Sequence, residues 1–231
     1  MPQAILLKNI FDANHLKEIK EVSYTNFKET EVIDRSETTL EEIYAGNTNV
    51  IIDQKMGKAQ VALHPKLFSS DLIEHLNNLG KSYNENCTFR GMTFARYAKE
   101  YGWPQLMPHI DHPSKIAFII DLQINSNVDW PLCFLNESYI LKDGESVLMQ
   151  SNRVPHWREP KIFEDSDFVE MVFIYFHDFT LDKDSEEEDP LVMNPINNEY
   201  HRKRKDLGIP DFFSNYNPAV EEQKIKALNN N

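Results

Sequence analysis

The sequence predicts a mainly β, α+β fold: an antiparallel sandwich or barrel of several short strands, preceded by amphipathic supporting helices. Three observations predict it. Apolar residues at helical spacing are confined to the stretch before Cys87. From Cys87 on, short runs rich in β-branched and aromatic residues alternate with Gly, Pro, Asn and Asp. These runs follow one another closely, the pattern of an antiparallel sandwich or barrel.

The elements follow in order. A first helix spans Phe11 to Val22, with Phe11, Leu16, Ile19 and Val22 on one face and Asp12 placed as its cap. A second starts at Ser69 or Ser70, runs through Leu72, Ile73, Leu76 and Leu79, and is predicted to stop at Gly80. Strands are expected over Met92 to Tyr97, Ile116 to Ile124, Pro131 to Leu135, Ser138 to Leu141, Ser146 to Gln150 and Phe168 to Phe176. Residues 1–181 are expected to form this unit. Residues 182–231 read as an extension, opening on the acidic run Asp182 to Asp189 and carrying the basic cluster His201-Arg-Lys-Arg-Lys205.

Composition narrows the function classes. The chain of 231 residues is 41% hydrophobic and 26% charged, enough to bury a sizeable core. No run approaches the roughly 18 apolar residues of a membrane span, and the start lacks a signal-like pattern, so no membrane association is expected and the chain reads as cytoplasmic. With 24 basic against 37 acidic residues, the net charge of −13 disfavours nucleic acid as a partner. By the same charge balance, the basic cluster is expected to form a helix face paired with the chain's own acids. Two cysteines, Cys87 and Cys133, fit buried reduced thiols and exclude a cysteine zinc site.

The residues with the most chemistry are His109-Ile110-Asp111, followed 45 positions later by His156. On an extended strand, side chains at i and i+2 share a face, so His109 and Asp111 can meet one ligand and a later strand can supply the third. Two histidines and a carboxylate on one face of an octahedron leave open positions, the arrangement of a non-heme iron(II) oxygenase. Spacing alone does not separate this from chance, and the context adds weight. Arg96-Tyr97 ends an apolar strand, Gly102 marks a loop, and Pro155-His156 precedes the strand from Phe168.

This order, with Leu122-Gln-Ile-Asn125 and Gly144 in between, resembles the iron(II)- and 2-oxoglutarate-dependent dioxygenases, and within them the prolyl-hydroxylase-like branch. The resemblance covers about Phe89 to Asp178. It implies a double-stranded β-helix, a jelly-roll or cupin-like barrel, with N-terminal supporting helices. It implies iron(II) held by His109, Asp111 and His156, with 2-oxoglutarate as cosubstrate and O2 as oxidant, and hydroxylation of a small-molecule or peptide substrate.

One departure is plain. The family places a basic residue about nine positions or more after the second histidine to pair with the far carboxylate of 2-oxoglutarate, and Ile162 to Met171 contains none. The expected replacements are Arg158, Lys115 or Arg96, with Tyr97 and Gln123 as neutral donors. The same departure leaves two other classes open. One is an oxygenase fold acting as a binding module; the other is a cupin-like metal dioxygenase that uses no 2-oxoglutarate.

Overall fold

A computed structural model describes residues 4–29, 32–34, 50–111, 116–151, 153–180 and 190–210. Helix α1 (Ala13–Glu29) begins where the Asp12 carboxylate accepts the His15 N–H at 2.8 Å, the capping role expected of it. Helix α2 (Ser70–Tyr83) is capped by Ser69, whose Oγ accepts the Leu72 N–H at 3.2 Å. It continues past Gly80, where the sequence predicts a stop. A Cβ at Gly80 would lie 2.7 Å from the Phe176 ring, so this glycine permits close packing on the sheet and does not end the helix.

Eight strands form one sheet: β1 (Ala4–Leu7), β2 (Val32–Asp34), β3 (Val50–Asp53), β4 (Lys58–Leu63), β5 (Cys87–Ala98), β7 (Ile116–Ser126), β10 (Ser146–Met149) and β12 (Phe168–Asp178). Their order is β1-β10-β7-β12-β5-β4-β3-β2. Four more, β6 (Leu106–His109), β8 (Leu132–Cys133), β9 (Ser138–Tyr139) and β11 (His156–Arg158), form a second sheet in the order β6-β11-β8-β9. Among the described residues every pairing is antiparallel except that of β2 with β3. The mainly β architecture with antiparallel sheets therefore agrees with expectation. Strands β1 to β4 do not, since that region reads as helices and polar connections. Val-Ile-Ile-Asp in β3 is buried throughout and too short to show a period, and in β4 the buried face is Ala59, Val61 and Leu63, a weak alternation.

Two cores hold these layers. On the outer face of the large sheet, Ile19, Leu72 and Leu76 of the helices pack against Phe94, Phe118 and Phe176. On its inner face, Tyr97, Met149 and Met171 meet Leu106 and Leu132 of the small sheet. Alternation along β7 sends Phe118, Ile120 and Leu122 outward to the helices and leaves Ile119 and Asp121 facing in. Helix α3 (Pro190–Asp206) packs on β6 with Met193, Tyr200 and Arg204 buried. Its basic cluster engages acids as expected: Arg202 pairs with Glu199 at 2.7 Å and Asp206 at 2.9 Å, and Lys203 with Glu159 at 2.9 Å. The acidic run 182–189 lies outside the described residues. Cys87 and Cys133 are free and buried, and burial pushes both thiols up to about 11. Among the described residues, no helix is long and apolar enough to cross a membrane.

The turn between β3 and β4 is locked to the segment that leads into β6. The Gln105 N–H donates to the Met56 carbonyl at 3.1 Å, and the Gln105 side-chain amide donates to the Lys55 carbonyl. Gly102 sits at φ +134°, and a Cβ there would lie 2.4 Å from the Gln54 carbonyl oxygen. Replacement of Gly102 by Ala is therefore expected to cost about 1–3 kcal/mol, from backbone strain plus a clash against backbone that cannot turn away. Chemical denaturation measures this, and an unchanged midpoint would contradict the clamp.

Candidate metal centre

Strand β6 ends at His109, and Asp111 follows immediately, its N–H donating to the Ser151 carbonyl at 2.9 Å. Strand β11 starts at His156, which pairs in register with His109. The two imidazole centroids are 4.3 Å apart, and His109 Nε2 lies 3.5 Å from Asp111 Oδ1. One ligand atom from each of the three residues falls within 4.8 Å of the others, the one such group of three among the described residues.

The ring orientations are fixed from behind. His109 Nδ1 lies 2.8 Å from the Met107 carbonyl and His156 Nδ1 lies 3.0 Å from the Val154 carbonyl. A carbonyl only accepts, so each Nδ1 carries a hydrogen and each Nε2 is the ring nitrogen left for a metal once it is deprotonated. Burial pushes His156 down to about 4, helped by the charge of His109, which keeps it neutral near pH 7. Burial acts against the Asp111 charge, but the hydrogen bond and the charge of His109 outweigh it and hold the carboxyl well below its usual range. His109 is raised: burial opposes its charge, and the Asp111 carboxylate more than compensates. A cation arriving at this point displaces that proton and inherits the carboxylate. Two imidazole nitrogens and one carboxylate oxygen thus fit a divalent iron with positions left open.

The triad opens on a cavity of about 550 Å³ between the sheets. Its lining includes Tyr97, Met149, Ile119 and Asp121 on the inner side, and Asp53, Lys58, Gln60 and Gln105 toward the β3–β4 turn. Of the sequence-predicted cosubstrate residues, Tyr97 lines this cavity and is 1% exposed. Arg158 is 2% exposed and lies outside the cavity lining, with its charge acting on Tyr97 and Asp121, which are part of that lining. Its guanidinium donates to the Trp130 carbonyl and to Met171 Sδ at 3.5 Å, and lies 5.0 Å from the Trp130 ring centroid. Among the described residues no carboxylate pairs with it within 4 Å. Burial pulls its guanidinium below the ordinary value, so an anion there meets a poorly compensated charge.

The other candidates lie elsewhere. Gln123 is buried but spends its amide on the Leu141 carbonyl at 2.7 Å and is not part of the cavity lining. Arg96 is on the helix-covered face of β5, where its guanidinium pairs with Glu170 and stacks 4.5 Å over the Phe168 ring. Alternation along β5 accounts for this, since Tyr97 faces in and its neighbour must face out. Lys115 lies outside the described residues. Several polar cavity residues escape the sequence reading, among them Asp53, Lys55, Lys58, Gln60, Gln105 and Asp121. The signal for Asp121 was available, because it is the single charge inside the apolar run Ile116 to Ile124. Lys58 precedes the region of resemblance, and only the pairing of β4 with β5 sets it opposite Tyr97.

No family model and no curated protein sequence matches the chain. Solved structures do. A prolyl-4-hydroxylase of Pseudomonas putida is similar at TM-score 0.53 and 11% identity, covering 76% of this chain and 92% of its own. The 2-oxoglutarate-dependent (alpha-ketoglutarate) non-heme epimerase SnoN of nogalamycin biosynthesis gives TM-score 0.52 and 13% identity over 76% of this chain and 78% of its own. A prolyl hydroxylase of Trichoplax adhaerens, solved with a hypoxia-inducible-factor peptide fragment, gives TM-score 0.50 and 12% identity over 76% and 84%. At such identities the likeness is one of fold, and the fold of this chain is that of the prolyl hydroxylases and related 2-oxoglutarate-dependent iron(II) oxygenases.

Proposed function

We propose that the chain is an iron(II)- and 2-oxoglutarate-dependent oxygenase that hydroxylates a C–H bond of a small-molecule or peptide substrate, on a double-stranded β-helix formed within residues 1–181. The observation that carries this reading is the convergence of His109, Asp111 and His156, whose ligand atoms lie within 4.8 Å of one another while both histidine Nδ1 atoms are held by backbone carbonyls. Iron(II) with 2-oxoglutarate and O2 supplies the oxidising chemistry there, decarboxylating the 2-oxo acid to succinate while oxygen is transferred to carbon.

The chain's own residues do the rest. His109, Asp111 and His156 occupy one side of the site and leave the cavity side for the 2-oxo acid and dioxygen. Arg158 supplies the charge that draws the far carboxylate toward Tyr97 and away from the bulk water. The locked β3–β4 turn walls the cavity mouth and keeps water from the reacting carbon. In this reading residues 182–231 are an extension, with α3 backing the strand that carries His109, and the two reduced cysteines agree with a cytoplasmic setting.

Oxygen uptake by the iron-loaded chain tests the proposal. Uptake that depends on 2-oxoglutarate and yields an equal amount of succinate is expected. Uptake without 2-oxoglutarate would favour a dioxygenase that acts directly on its substrate.

A further inference from the structure

Asp121 is a carboxyl in a place where an ionised one is costly. It is 3% exposed on the inner face of β7, lines the cavity beside the triad, and its Oδ1 has no hydrogen-bond partner. Its strand neighbours in register, Val147 on β10 and Phe173 on β12, are apolar. The charged and titratable groups that act on it come from four directions: Arg158 on β11, Lys58 on β4, Tyr97 on β5, and His109 with Asp111 at the end of β6. Asp53 of β3 lines the same cavity.

We propose that Asp121 is a second, proton-carrying anchor for the cosubstrate: in its acid form its hydroxyl donates to the far carboxylate of 2-oxoglutarate beside Arg158, so that binding takes up one proton from solvent. This rests on the 2-oxoglutarate reading above. Two carboxylates close together at a buried position, with one guanidinium near enough to act on them, are costly to keep both ionised, and a shared proton converts their repulsion into a short charge-assisted hydrogen bond. Burial first, and then the Asp111 charge, already push Asp121 up to about 7 against the opposing pull of Arg158, so the proton is available near neutral pH.

Titration calorimetry of the full chain loaded with nickel(II), which binds without turnover, tests this with 2-oxoglutarate in buffers of different ionisation enthalpy. Near pH 8 the parent is expected to take up close to one proton, with affinity falling about tenfold per pH unit above the Asp121 range. Asp121→Asn keeps a donor of the same shape, so it is expected to bind 2-oxoglutarate with no proton uptake and no such pH dependence. An infrared band of a protonated carboxyl, seen in the parent complex and missing in Asp121→Asn, is the second readout. Parent binding without proton uptake, or uptake that persists in Asp121→Asn, would overturn the proposal and leave the cosubstrate reading intact. A nickel-loaded parent that fails to bind 2-oxoglutarate would overturn both.

Discussion

Replacing Asp111 by Ala is expected to remove most iron binding and all oxygenase activity while leaving the fold in place. Asp111 supplies the one negative charge among the three ligands, and it lies two residues past the end of β6. A methyl group neither ligates nor balances a dication. Changing an outer partner of a metal ligand costs roughly 10–100-fold in affinity, so losing a ligand should cost at least that. Equilibrium dialysis against iron(II) under nitrogen measures it. An affinity within a few-fold of the parent would show that the metal, if bound, sits elsewhere.

Arg158→Met is expected to raise the Michaelis constant for 2-oxoglutarate by about 10- to 100-fold, with metal affinity nearly unchanged. A hydrogen bond to a charged group contributes roughly 1.5–3 kcal/mol, and each 1.4 kcal/mol is a factor of about ten. Among the described residues no carboxylate within 4 Å is stranded when Arg158 is removed, and a methionine fills much of its volume beside Trp130 and Met171. Folding should therefore survive, which a thermal midpoint no lower than the parent's would confirm. Lys58→Met is the informative comparison, because Lys58 is, with Lys55, one of the two lysines of the cavity lining, and its ammonium lies 5.7 Å from the Tyr97 ring centroid. A parent-like constant in Arg158→Met together with a raised one in Lys58→Met would move the anchor from β11 to β4.

The sequence made the site more legible than the scaffold. His109, Asp111 and His156 could be read because strand alternation is local: two residues apart on an extended chain is a geometric statement that needs no tertiary structure. Arg158, two positions beyond His156, is buried with its charge acting on Tyr97 and Asp121 but lies outside the cavity lining. Arg96 failed because the same alternation cannot say which face is inward, and Tyr97 took the inner one. Lys58 and Gln105 depended on pairings between strands distant in sequence, which no local pattern encodes. Gly80 shows the limit of residue rules: a glycine late in a helix usually signals its end, yet here the neighbour is the Phe176 ring and the helix continues. Met171, the last residue of the stretch Ile162 to Met171 that lacks a base, lies with its Sδ 3.5 Å from the Arg158 guanidinium.

The central claim is that His109, Asp111 and His156 hold an iron on which 2-oxoglutarate chelates. An anaerobic titration of the apo chain with iron(II) and then 2-oxoglutarate tests it most directly. A weak visible charge-transfer band that appears only with both additions, saturates at one equivalent of iron, and is absent in Asp111→Ala is the expected result. Saturable iron binding with no new band on adding 2-oxoglutarate would contradict the claim.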